Sequence, residues 1–107
     1  MVVLKELDLV SNELTSLPAN FRQGMGNLKT LCLNFNKLSH DALSIISRMG
    51  SMQSLDLSFN KLTLLPADFG QDMVNLQELK LTGNNLNQKA KEQVAKLRGG
   101  IKVTYRG

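Results

Sequence analysis

Histidine and cysteine, which serve as nucleophiles, bases and zinc ligands, are scarce in this 107-residue chain. His40 is the only histidine and Cys32 the only cysteine, whereas a nucleophilic pair or a metal site needs several such groups held together. His40 precedes a predicted helix, a position typical of capping or solvent-facing residues. Gly24 and Gly26 lack the strand-to-helix setting of a phosphate-binding loop. The sequence therefore predicts no enzyme activity, no catalytic residue, no metal site and no cofactor.

An eleven-residue pattern, LxxLxLxxNxL, sets the positions that could instead form a binding surface. It recurs four times without insertion, at intervals of 24 residues, and begins at Leu4, Leu28, Met52 and Leu76. Successive side chains of a strand point to opposite faces, so the paired leucines point inward and the residue between them points outward. An asparagine where the chain leaves the strand can bond to backbone groups without strand partners. We therefore expect a structural ladder of Asn12, Asn36, Asn60 and Asn84.

The pattern resembles that of the leucine-rich repeat family, in the intracellular type with 24-residue repeats. The resemblance implies an α/β solenoid, a right-handed superhelix with a parallel β-sheet on its concave face and short helices or turns on its convex face. It also implies a protein–protein interaction module, as a scaffold or regulatory subunit, and an intracellular, cytoplasmic location. We expect a single domain over residues 1–107, ending in a capping helix and strand at about 87–106.

The segments between strands alternate in character, with a longer period of 48 residues. In the odd repeats, Pro18 and Pro66 end regular helix, and Phe21 and Phe69 are predicted to be buried under an extended or single-turn connection.

The even repeats instead predict short helices with one buried face, at 41–49 and 89–98. The residues expected to bound them are Ser39 or Asp41 as the first N-cap, and Gly50 and Gly99-Gly100 after the two C-termini.

A final strand is predicted after the fourth repeat, because Ile101, Val103 and Tyr105 alternate with polar residues. Aligning Ile101 with Leu79 and Val103 with Leu81 makes this strand a shortened fifth repeat. The first repeat begins only three residues into the chain, so its strand edge and leucines are expected to be exposed. Either the chain is a piece of a longer solenoid or another surface covers that edge, for example through self-association. The first alternative is favoured because a complete solenoid needs polar caps at both ends.

The outward-facing residues of the stacked strands are the predicted partner-binding surface. Phe35 and Phe59 occupy equivalent positions in neighbouring repeats, so their rings should touch and form an apolar patch, unless they tilt into the core. Cys32 has no sequence neighbour that would lower its pKa, which favours a tolerated small residue over a reactive thiol. The candidate residues are Glu6, Asp8, Thr30, Cys32, Asn34, Phe35, Ser54, Asp56, Ser58, Phe59, Glu78, Lys80, Lys102 and Tyr105.

The positive net charge of the chain is compatible with a second class of function, the binding of RNA or acidic surfaces. The chain has a net charge of +4, and its late lysines and arginines could bind RNA or an acidic surface in a salt-sensitive way. Nucleic acid is the weaker alternative, because the basic residues are not interleaved with aromatic ones and no nucleic-acid fold signature is present. No apolar run approaches the ~18 residues of a membrane span. A third possibility is that the chain is the recognition part of a larger signalling or ligase protein.

Overall fold

The computed structural model of this chain describes residues 5–11, 13–17, 21, 26–67, 69–97 and 100–104. Five short strands and two short helices follow one another in these segments, and a helix follows only the strands of the even repeats. The elements are β1 (Glu6–Asp8), β2 (Thr30–Cys32), α1 (His40–Ile46), β3 (Ser54–Asp56), β4 (Glu78–Lys80), α2 (Gln88–Ala95) and β5 (Lys102–Thr104). Within the described segments, neither helix is long and apolar enough to cross a membrane.

All five strands form one open parallel sheet in chain order. The central leucines of β1 to β4 pair with one another at the 24-residue interval of the repeat. Leu31, Leu55 and Leu79 have no exposed surface, whereas Leu7 on the edge strand is half-buried. The predicted solenoid of stacked repeats is thereby confirmed.

The alignment predicted for the last strand is wrong by two residues. Val103 pairs with Leu79, and Lys102 pairs with Glu78. A shift of two residues keeps each side chain on the same face of the sheet, so alternation alone could not distinguish the two registers.

The return segments of repeats 1 to 4 bury either apolar side chains or one face of a helix. Phe21 and Phe69 are buried as predicted, and the Phe69 N–H closes a turn onto the Pro66 carbonyl at 3.0 Å. The helices bury their predicted faces, through Leu43 and Ile46 in α1 and through Ala90 and Val94 in α2. Met49, Met52 and Met73 are core residues as well.

The helix ends differ in part from the prediction. Ser39 is the N-cap residue of α1, but its side chain makes no capping hydrogen bond. Asn87 caps α2, its Oδ1 accepting a hydrogen bond from the Ala90 N–H at 2.8 Å. The expectation that Gly50 ends the first helix is wrong, because α1 ends at Ile46 with Ser47 as a right-handed C-cap. The expectation that Gly99-Gly100 ends the second helix is wrong as well, because α2 ends at Ala95, five residues before Gly100, with Lys96 as a right-handed C-cap.

The asparagine ladder is confirmed for Asn36, Asn60 and Asn84, which are all buried, while Asn12 lies outside the described residues. Asn60 illustrates the arrangement. Its Nδ2 donates to the carbonyls of Leu33 and Leu57 at 3.0 Å each, and its Oδ1 accepts from the Leu38 N–H at 3.2 Å. Each asparagine thus joins its own repeat to the preceding one and satisfies backbone groups where the strand ends.

Candidate partner-binding face

The solvent-facing side of the sheet, called the concave face below, carries the first and third residues of each strand. Strand register aligns equivalent positions into columns that run across the repeats. The first column is Glu6, Thr30, Ser54, Glu78 and Lys102, and the second is Asp8, Cys32, Asp56, Lys80 and Thr104. On β2 and β3 these side chains are small and half-buried, whereas both acidic residues of β1 and both lysines are exposed. The face is therefore a shallow polar floor with carboxylates at the β1 end and ammonium groups toward the β5 end.

The register of β5 changes the predicted columns at that end. The sequence alignment places Lys102 beside Lys80, but the structure places Thr104 there. Lys102 still lies on the concave face, in the column of Glu78. Tyr105, the other site residue predicted for this repeat, lies outside the described residues.

Just after the strands of repeats 1 to 4, the chain turns through a residue in the left-handed backbone region. The values of φ are 60° for Ser11, 61° for Phe35, 58° for Phe59 and 74° for Gly83. Glycine adopts this region readily, whereas a bulky residue there is an outlier. The sequence analysis missed this property, although a glycine at the equivalent position of repeat 4 is a signal that could have indicated it.

Phe35 and Phe59 form a parallel aromatic stack at the side of the concave face. Their ring centroids are 4.6 Å apart and their planes differ by 6°. The two side chains are 52% and 44% exposed, so the predicted contact is confirmed and the rings do not tilt into the core. The other large hydrophobic residues exposed in the described part of the chain, Leu64 and Val74, lie in the return segment of repeat 3.

Gly83 is required at its position for two reasons. Its backbone is left-handed, and a Cβ built on it would overlap the ring of Phe59. The Phe59 ring therefore occupies the space over repeat 4 that a side chain at position 83 would take. One end of the aromatic stack is closed in this way.

Asp8 and Asp56 have a structural role that the sequence analysis did not identify. Asp8 Oδ1 accepts a hydrogen bond from the Val10 N–H at 3.1 Å, and Asp56 Oδ1 accepts one from the Ser58 N–H at 3.0 Å. Such bonds to the backbone two residues later stabilise turns. Each carboxylate therefore lies toward the left-handed turn of its own repeat, at Ser11 for Asp8 and at Phe59 for Asp56.

Two of the predicted site residues are less accessible than expected. Ser58 is only 6% exposed, so the prediction that its side chain faces a partner is wrong. Asn34, at the equivalent position of repeat 2, is half-buried, and its carbonyl accepts the Ser11 N–H at 3.1 Å. The backbone carbonyls of both residues accept hydrogen bonds from the turn of the preceding repeat.

Cys32 lies on the concave face between two carboxylates, since its strand neighbours in the same column are Asp8 and Asp56. Partial burial raises the pKa of the Cys32 thiol above its ordinary value, and the negative charges of Asp8 and Asp56 raise it further. Lys80 has a smaller opposing effect. The thiol is therefore kept protonated, which makes it a poor nucleophile.

Among the residues that the structure describes, no three His, Cys, Asp or Glu side chains are grouped so that they could hold a metal ion. His40 is exposed at the first residue of α1.

The fold and the sequence comparison define the same class of protein. A sequence model described as leucine rich repeat matches residues 3–62 and again residues 44–86. The chain belongs to the leucine-rich repeat family. No curated protein matches it significantly. Domains of this family generally mediate protein–protein interaction and are typically non-catalytic.

Proposed function

We propose that this chain binds a partner protein through its concave face, with the Phe35–Phe59 stack as the apolar anchor. The observation that supports this proposal is the stack itself. Two large rings stand half in solvent beside a floor of small polar side chains. Aromatic residues of this kind supply much of the binding energy at protein interfaces once a partner removes them from water. As a scaffold or regulatory subunit, the chain would act through this binding alone.

Backbone conformation provides a second argument. A phenylalanine in the left-handed region is strained by about 1–3 kcal/mol, and Gly83 occupies the equivalent position without that cost. Strained residues of this kind cluster at functional sites, where the side chain is needed despite its backbone. Neither ring fills the core, so burial within the chain does not compensate the strain at Phe35 and Phe59.

The test is affinity capture from native lysate with the wild-type chain and with the double variant Phe35→Ser/Phe59→Ser. A specific protein should be retained by the wild type and lost with the double variant. The matched control is Leu64→Ser/Val74→Ser, which removes two exposed apolar side chains outside the concave face. Equal capture by all three proteins, each shown to be folded by circular dichroism, would disprove the proposal.

A second candidate function rests on the basic residues near the end of the chain. Lys89, Lys91 and Lys96 are exposed on or next to α2, on the return side of the repeat. Binding of RNA or an acidic surface there would weaken steeply with salt and would not depend on the aromatic stack. Capture at low and at high salt therefore separates the two functions.

We also propose that residues 1–107 form a single domain and that the protein works inside the cell. The lone cysteine supports the second point, since Cys32 has no cysteine partner in the sequence, and disulfides are common in secreted proteins of this size. Detection of the endogenous protein in the culture medium and not in cell lysate would contradict the proposed location.

A further inference from the structure

The concave face has a charge opposite to that of the chain. Its ten strand residues include four carboxylates and two lysines, which gives a charge of −2 on a chain whose net charge is +4. The excess of carboxylates lies on β1, where Glu6 and Asp8 are both exposed. Lys80 and Lys102 instead lie beside Asp56 and Glu78 on the neighbouring strands. A partner that covers the β1 end of the face therefore meets two exposed carboxylates whose strand neighbours, Thr30 and Cys32, are uncharged.

The aromatic stack is closed at one end and open at the other. The Phe59 ring covers Gly83 at the repeat 4 end. At the repeat 1 end the equivalent position is Ser11, a small and exposed residue with the same left-handed backbone. Phe35 is also the more exposed of the two rings, at 52% against 44%. Among the described residues, the column therefore ends in a small side chain at Ser11, beside the face of Phe35 that does not stack on Phe59.

A carboxylate is held next to this open place. Asp8 Oδ1 accepts a hydrogen bond from the Val10 N–H, so its side chain is turned toward the residues that precede Ser11. The bond uses one of the two carboxylate oxygens, and the other can accept from a partner. Glu6 adds a second negative charge on the same strand, without a hydrogen bond that would fix its position among those described.

We propose that this place binds an arginine side chain of the partner protein, with the guanidinium plane stacked on Phe35 and its N–H groups directed to Asp8. The inference rests on the proposed function of the concave face and names the chemistry of what binds there. A guanidinium is flat, remains charged at all physiological pH values, and can combine aromatic stacking with a carboxylate contact. A lysine ammonium carries the positive charge but has no flat group to stack on Phe35. A nucleic-acid base has a flat ring, but its phosphate is negatively charged and would be repelled by the carboxylates.

The probe is the peptide acetyl-SGRLGS-amide, titrated into the ¹⁵N-labelled 107-residue chain while amide chemical shifts are followed. Three matched peptides carry citrulline, lysine or glutamate in place of arginine. Citrulline keeps the planar shape and removes the charge. We expect the arginine peptide to shift the amides of residues 8–11 and 35, and the citrulline and lysine peptides to bind roughly two- to fivefold more weakly. The glutamate peptide should bind most weakly.

Variants of the protein test whether the preference for arginine depends on the Phe35 ring and on the Asp8 carboxylate. Phe35→Leu keeps an apolar side chain and removes the ring, while Asp8→Asn keeps an acceptor for the Val10 N–H and removes the charge. Each should reduce the preference for arginine over citrulline, because each removes one of the two groups that favour the positive charge. Glu92→Gln, which removes an exposed carboxylate from α2, should leave that preference unchanged.

Equal affinity for the arginine, citrulline and glutamate peptides would overturn the inference, as would shifts confined to the residues around Lys80 and Lys102. Stronger binding of a ten-nucleotide uridine RNA at the same amides would also overturn it. If these results occur while the Phe35→Ser/Phe59→Ser variant still loses its captured protein, the arginine site is wrong and the proposed function stands. If capture does not depend on the two rings, the proposed function itself fails.

Discussion

Two adjacent columns of side chains leave the same turn of each repeat in opposite directions. The asparagines at 36, 60 and 84 point inward and are at most 6% exposed. The residues immediately before them, Phe35, Phe59 and Gly83, have a left-handed backbone, and the two phenylalanine rings point outward. The inward column repeats one residue type because it must satisfy the same backbone groups in every repeat. The outward column varies because the fold constrains only its backbone, so its side chains can be chosen for another purpose.

The largest expected effect comes from breaking the inward column. Asn60→Ala removes the bond to the Leu38 N–H and three bonds to carbonyls, one in the preceding repeat and two in its own repeat. A buried N–H is left without a partner, and we expect a loss of about 3 kcal/mol in the free energy of unfolding. Chemical denaturation of the purified variant measures this loss.

Asn85→Ala is the control for the ladder. Asn85 is the next residue after a ladder asparagine, is exposed, and makes its described hydrogen bond through its backbone N–H. Its replacement should change stability by no more than about 0.5 kcal/mol. Similar losses for the two alanine variants would show that the inward column is no more important than the surface.

The second effect comes from adding a side chain to the outward column where it has none. Gly83→Ala places a Cβ on a left-handed residue and against the ring of Phe59. The expected destabilisation is about 1–2 kcal/mol, from backbone strain and from displacement of the ring.

Gly26→Ala provides the comparison for this variant. A Cβ at Gly26 meets no atom of the described residues within 4 Å and its backbone is not left-handed, so stability should change by less than about 0.5 kcal/mol. If Gly83→Ala is equally neutral, the proposed packing of the ring over repeat 4 is wrong.

The inward column could be predicted from sequence and the outward one only in part, for a physical reason. A pattern of leucines and asparagines reports the residues that the core requires, and it fixed the register of β1 to β4. β5 has no asparagine, and its alternation fits two registers that differ by two residues, so Lys102 was placed in the wrong column. The left-handed turn and the Asp8 and Asp56 hydrogen bonds depend on backbone geometry that no single residue type specifies.

The third effect is smaller because two terms oppose each other. Phe35→Gly loses a ring stack worth about 0.5–1.5 kcal/mol and relieves backbone strain of about 1–3 kcal/mol. At the middle of these ranges the net result is a gain of about 1 kcal/mol in the free energy of unfolding, and such an increase in stability would be consistent with a ring retained for binding.

Phe69→Ala is the matched contrast, since this ring is 5% exposed and its removal should cost about 3–5 kcal/mol. A comparable loss for Phe35→Gly would show that the aromatic stack belongs to the core. The distinction between the two columns would then disappear.

The smallest effect concerns the pKa of the Cys32 thiol, on the concave face beside the outward column. Burial and the charges of Asp8 and Asp56 raise the pKa of the Cys32 thiol, so less thiolate is present at any pH below that pKa. Alkylation by iodoacetamide should therefore be slower than for an unhindered cysteine peptide at pH 8, and its rate should continue to rise at pH values where the peptide's rate has levelled off.

Asp8→Asn and Asp56→Asn each remove a negative charge, lower the pKa of the Cys32 thiol toward its ordinary value and should speed the reaction, whereas Glu92→Gln on α2 should not. Rates that are identical in all four proteins would show that Cys32 is not flanked by these carboxylates, and the negative charge assigned to this end of the concave face would lose its chemical support.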